Sequence, residues 1–350
     1  MDITFWLTST TRVMTKENWG LAPMGGAEIS AVNLGAELLK KGHNVRYYLQ
    51  RCEPFKKEGL SVDLHTNIAG EHEYFVCVRP HSILLPTSPL QAEKKILWSG
   101  DAFDQPSNTI FDDENTAGSM DALVFKSEWQ KRKMLERFFY LDSSKVSVIY
   151  NGVNTAFFKD LRQTFQKNRF IYASTWYRGL NNFVEIWPEI RKAIPDAEIH
   201  IFAQTGLYFD GNPSNTGYYP IAEQLCKQPG TILRHPVPQW VLAIELRKAN
   251  LMLYPNTRFV ESSCGVALQS LAAGTPVVTT RRAALPETVG ENGVLVDEGE
   301  GWQDRFVEGV VKLWENPKLR NQMGNSGRRR VMKQSWTQQA KLWEDHLKSL

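Results

Sequence analysis

Glu261 and Gln269 stand eight residues apart, with Cys264, Gly265 and Val266 between them and Gly274-Thr275-Pro276 beyond them. In this stretch, VESSCGVALQSLAAGTPVV (260–278), an apolar strand ends shortly before Glu261 and a helix is expected over about 263–273. Backbone N–H groups at that helix start, near Cys264, Gly265 and Val266, suit a pyrophosphate. Gln269 on the helix can hydrogen-bond ribose hydroxyls, and Glu261 can accept from sugar hydroxyls. The plainer alternative for Glu261 is a solvated cap. A second helix start, Gly25-Gly26, follows the long loop that opens TSTTRVMTKENWGLAPMGGAE (8–28). Glycine there lets a ligand approach the helix N-terminus, or merely makes a tight start.

The elements that must position these residues alternate regularly. Strands are expected at 2–7, 44–49, 74–78, 95–98, 122–125 and 145–150, with helices over 25–41 and 127–138. A second series places strands at 169–174, 197–203, 231–234, 251–255, 276–280 and 293–297. Its helices fall at 180–193, 239–249, 263–273 and through most of 301–349. Apolar strands alternating with helices imply an α/β fold of parallel sheets covered on both faces, here two doubly wound domains. Such sheets bind ligands beyond the carboxyl ends of their strands, so two facing domains imply a central cleft. Residues 151–168 supply a polar connection.

Composition narrows the function. At 350 residues the chain suits about two domains. A net charge of +3, with basic residues scattered apart from Arg328, Arg329 and Arg330, argues against nucleic acid as a partner. The start lacks a signal peptide's basic and apolar regions. No apolar run approaches the ~18 residues of a membrane span. Cys52, Cys77, Cys226 and Cys264 form no Cys-x-x-Cys, which fits a reducing cytoplasm and no structural metal. No Asp-x-Asp and no histidine cluster with metal spacing is present.

The 260–278 segment resembles the donor-binding signature of glycosyltransferase family 4, the retaining enzymes of GT-B fold. Four other segments resemble the family in the right order: 25–45, 146–158, 178–202 and 284–296. The resemblance implies two Rossmann-like domains, an acceptor-side domain over 1–157 and a donor-binding domain over 158–334. The last helix, 335–350, crosses back with Trp336, Ala340, Trp343 and Leu347 on its buried face. It further implies a nucleoside diphosphate sugar as donor, a glycan or lipid-linked acceptor, retention at the anomeric carbon, and no metal or other cofactor.

Site residues follow position by position. Arg178-Gly179 stands where the family has Lys-Gly on the diphosphate, and its planar fork suits phosphate oxygens. Glu261 matches the first signature glutamate, which meets the donor sugar. Gln269 replaces the second, which binds ribose, keeping an acceptor oxygen but not the charge. Gly100 stands where a sugar-contacting histidine often falls. The next residue, Asp101, can orient the acceptor or act as its base, or simply cap a loop. His235 sits where the family brings backbone to the nucleotide base. Trp6, Trp19, Trp98 and Trp176, at strand ends or loops, are candidates to stack on sugar. Arg328 to Arg330 with Lys333 read as a solvated helix end, or as a weak peripheral contact with an anionic membrane. The expected role is polysaccharide or glycoconjugate synthesis in the cytoplasm. Rival readings are an inactive scaffolding homologue and a sugar-nucleotide epimerase.

Overall fold

A computed structural model of the chain describes residues 1–8, 12–159, 166–203 and 217–350. Positions 9–11 of the first loop and 160–165 of the polar connection lie outside the described residues. The chain forms two compact units, Met1–Gly152 with Gln334–Leu350, and Val153–Lys333. The first unit thus takes back the C-terminal segment, and the division falls after Gly152.

The first unit is built on an eight-stranded sheet. In chain order its strands are β1 (Asp2–Leu7), β2 (Asn44–Leu49), β3 (Phe55–Lys57), β4 (Leu60–Leu64), β5 (Glu71–Cys77), β6 (Gln91–Ser99), β7 (Ala122–Phe125) and β8 (Val146–Val148). Their spatial order is β3-β4-β2-β1-β5-β6-β7-β8. All neighbours are parallel except the hairpin β3/β4. Its helices begin with α1 (Gly26–Lys40), α2 (Glu114–Gly118) and α3 (Glu128–Arg137). Helix α1 lies close on β2 because Gly35 has no side chain. A Cβ there would stand 1.8 Å from the Tyr47 hydroxyl, which donates to Ala31 O at 2.8 Å.

The second unit carries β9 (Arg169–Ala173), β10 (Glu198–Phe202), β11 (Thr231–Leu233), β12 (Leu251–Tyr254), β13 (Val277–Thr280) and β14 (Gly293–Val296). These are all parallel, in the order β11-β10-β9-β12-β13-β14. Its helices are α4 (Phe183–Ala193), α5 (Tyr218–Cys226), α6 (Gln239–Lys248), α7 (Gly265–Ala272), α8 (Leu285–Val289), α9 (Trp302–Glu315) and α10 (Pro317–Val331). The strands are nearly all apolar because helices cover both faces. The chain then re-enters the first unit as α11 (Trp336–Ser349), whose Trp343 meets Trp98 at 5.0 Å between ring centroids.

Both sheets are doubly wound, and both reverse strand order beside the strand that opens the unit. Those points lie between β1 and β5 and between β9 and β12. The sequence reading missed β3, β4, α2, α5 and α8, all short. It also named Trp6, Trp19 and Trp98 as candidates to stack on sugar, and the structure corrects Trp6 and Trp98. Trp6 and Trp98 are buried among strands, and Trp19 packs on Tyr47 and Phe55.

Candidate active site

The loops after β9 and β12 leave adjacent carboxyl ends at the second sheet's reversal point, where open parallel sheets bind ligands. Gly179 lets them touch. Its φ is +103°, and a Cβ would fall 2.3 Å from Pro255 O. Asn182 ties the loops further, its Nδ2 donating to Pro255 O at 2.6 Å and Thr257 Oγ1 at 3.1 Å.

This junction aims Arg178 at Glu261. Arg178 Nη1 donates to both carboxylate oxygens, at 3.1 and 3.4 Å, and the guanidinium lies 4.1 Å from the Phe259 ring centroid. The Tyr254 hydroxyl donates to Glu261 Oε1, and its ring stacks on Tyr172 at 5.9 Å. Glu261 is 2% exposed and the Arg178 side chain 24%. The carboxylate is therefore buried and held by both groups, while the Arg178 side chain is partly open to solvent. Burial, helped by the Glu261 charge, pushes both tyrosine phenols well above their ordinary range, so Tyr254 remains a donor.

Cys264 is the N-cap residue of α7 and makes no side-chain cap bond. Burial raises its thiol well above the usual range, so it supplies no thiolate. Open space lies where a Gly265 Cβ would stand, so a ligand can approach the backbone at Gly265 and Val266. Gln269 Oε1 is buried without a hydrogen-bond partner among the described residues. Its position on α7 follows from the same signature spacing that placed Glu261.

His235 lines a groove of about 630 Å³ with Arg169, His200, Arg234, Glu245 and Lys248, and neither Arg178 nor Glu261 is in that lining. The arginine run is also not an open cationic patch. Arg328 donates to Ala272 O and Phe158 O, and Arg330 to Thr288 O and Val289 O, pinning α10 to its neighbours.

The remaining expected residues sit at the carboxyl edge of the first sheet. Gly25 is the N-cap of α1, without a side-chain cap, and nothing stands within 4 Å of a Cβ on Gly26. Asp101 follows β6. Its Oδ2 accepts from Ser107 Oγ at 2.6 Å, and its Oδ1 lies 3.8 Å from Arg79 Nε. Gln130 Nε2 donates to the Asp101 carbonyl at 2.8 Å. Sequence reasoning overlooked Tyr254, Arg79 and Lys126. The signal for Lys126 was a charge ending the apolar strand ALVF just before the cap Ser127.

Comparison with known proteins agrees with this geometry. Residues 167–316, which hold the Arg178–Glu261 pair and α7, match the family model of glycosyl transferases group 1. A D-inositol 3-phosphate glycosyltransferase of Pseudarthrobacter chlorophenolicus is 35% identical over 109 residues, 30% of this chain. The matched stretch spans about a quarter of that relative, 24% of its length. Among solved structures, sucrose-phosphate synthase from Thermosynechococcus elongatus superposes with a TM-score of 0.77 at 14% identity, covering 99% of this chain and 98% of that one. Anabaena HepE in complex with UDP-glucose superposes with a TM-score of 0.72 at 12% identity, covering 99% of this chain and 100% of that one. The chain thus has the GT-B fold of these structures. No helix of the described residues is long and apolar enough to cross a membrane.

Proposed function

We propose that the chain is a retaining glycosyltransferase that moves a sugar from a nucleoside diphosphate sugar to a glycan or lipid-linked acceptor, without metal, in glycoconjugate synthesis. The observation that carries this reading is the Arg178–Glu261 pair beside the N-terminus of α7, within the stretch that matches the group 1 family model. The UDP-glucose held by the structural neighbour HepE supports a donor of this class.

In this reading the exposed part of the Arg178 guanidinium and the N–H groups at Gly265 and Val266 receive the diphosphate. They stabilise the charge that builds there as the glycosidic bond breaks. Gln269 Oε1 accepts from a ribose hydroxyl, which would satisfy its buried oxygen. Glu261, locked by Arg178 and Tyr254, orients the donor sugar. An oxocarbenium-like transition state needs electrostatic support more than a strong base. A leaving phosphate oxygen takes the acceptor proton, and the protein positions the partners.

A thermal-shift screen against UDP, GDP, ADP and their sugars, with EDTA present, tests this. One diphosphate at a hundredfold excess over its Kd should stabilise the protein by about 2.7 kcal/mol. No shift with any nucleotide, or a shift that EDTA abolishes, overturns the reading.

A further inference from the structure

The groove of about 630 Å³ in the second unit lies against one face of β9, β10 and β11, beside α6. Arg169 opens β9 opposite Glu198 of β10, and His200 stands two residues further along the same face. Arg234, just after β11, reaches His200, and Glu245 and Lys248 come from α6. Glu198, Arg234 and His235 are exposed, so the groove opens to solvent beside the buried pair Arg169 and His200.

The bonds inside this groove leave donors over. Arg234 donates to His200 Nδ1 from Nε at 3.2 Å and from Nη2 at 3.0 Å. The ring proton therefore sits on Nε2. Burial, with the Arg169 and Arg234 charges, pulls His200 down to about 4, so the ring is neutral near pH 7. His200 is 3% exposed, and its Nε2 has no hydrogen-bond partner among the described residues. Glu198 Oε2 stands 3.6 Å from it, beyond hydrogen-bond reach. Arg169 is 4% exposed, and its Nε also lacks a partner among the described residues, although its Nη2 meets Glu245. The other Glu245 oxygen accepts from Lys248 at 2.7 Å. Arg169, Arg234 and Lys248 thus line the groove against two carboxylates, an excess of positive charge. Phe202, Ile232, Val237 and Val241 give it an apolar wall.

Buried donors are nearly always satisfied, by protein, water or a ligand. Two such N–H groups beside a guanidinium that bonds only a neutral ring suit an oxyanion. Three donating side chains match the three terminal oxygens of a phosphate monoester, where a carboxylate offers two. We infer that this groove binds an organic monophosphate, its oxygens held by Arg234, His200 Nε2 and Arg169 Nε and its apolar body against Phe202 and Val241. Glu198 opposes the anion, and its exposed side chain can swing into water to admit it. Arg178 and Glu261 take no part, so the site is separate from the transferase reading.

Calorimetric titration of the full chain with phenyl phosphate at pH 7 tests this. Arg234→Gln, at an exposed position, should weaken binding about tenfold or more, as loss of a charged hydrogen bond does. Glu198→Gln removes the opposing charge and should tighten binding about two- to fivefold. Arg178→Gln should leave the Kd unchanged. No binding of phenyl phosphate overturns the inference, since the free donors then face water. Binding that is lost in Arg178→Gln and kept in Arg234→Gln also overturns it, because the phosphate then sits between the loops after β9 and β12. Failure of nucleotides to bind would defeat the transferase reading without altering this titration.

Discussion

Glu261 is buried, and a guanidinium and a phenol hydroxyl meet its charge and fix both oxygens. That arrangement separates charge from shape. Glu261→Gln keeps an oxygen for the Tyr254 hydroxyl but removes the charge facing Arg178. Turnover should fall about 10²- to 10³-fold, as when a single preorganised electrostatic group is lost. The melting temperature should drop only slightly, because no cavity opens and the Arg178 charge left behind is partly exposed to solvent. Steady-state rates and a thermal melt on the same preparation check both parts. Unchanged turnover would remove Glu261 from the reaction. Glu261 and Gln269 could be named from the sequence because their spacing spans one strand end and one helix, whereas Arg178, on the loop after β9, was named through the family resemblance. Tyr254 could not. It closes an apolar strand, and only the fold shows that its side chain turns toward the site. Asp101 was legible as a residue, but its Ser107 and Arg79 partners come from separate loops.

At the scale of elements, the buried parallel strands were readable because both faces are covered and their apolar runs are continuous. Strands β3 and β4 were not. They form a short antiparallel hairpin beyond β2 at the sheet edge, where half the side chains meet water and the apolar pattern weakens. Helix α5 was hidden by Pro220 and a run of tyrosines in its first turn. The loops around the candidate site were legible only as loops. What joins them is the contact of Gly179 with the Pro255 carbonyl, which no local pattern reveals. Gly179→Ala tests that joint. Its Cβ would meet Pro255 O at 2.3 Å in a left-handed backbone, so the two loops must part. Strain and repacking should cost about 2–4 kcal/mol. Nucleoside diphosphate binding should weaken more than stability does, since Arg178 is the next residue along. Calorimetric titration beside a melt checks the ratio. Full binding in this variant would show that the joint does not position Arg178.

For the whole molecule, the chain leaves the first unit once and returns once, and the return is structural. Gly152, at the exit, lies so close to the re-entering segment that a Cβ would stand 2.8 Å from Trp336 N. Helix α11 then buries Trp336, Trp343 and Leu347 in the core formed with α1 and the first sheet. The amphipathic face of this helix was readable; the sheet side chains it covers, Trp98 among them, were not. Fully burying each such side chain contributes about 1.5–3 kcal/mol. Ending the chain after Lys333 removes all three, a loss of about 5–9 kcal/mol on that scale. A typical domain's entire stability is about 5–15 kcal/mol, so the first unit should no longer fold. The second unit has its own core and none of its strands or helices is cut. The shortened chain should therefore keep one cooperative transition, still raised by nucleoside diphosphate, while residues 1–152 become open to protease. Scanning calorimetry with limited proteolysis reads both outcomes. Loss of the nucleotide-responsive transition as well would mean that the second unit depends on the first, and that α11 stabilises more than the core it enters.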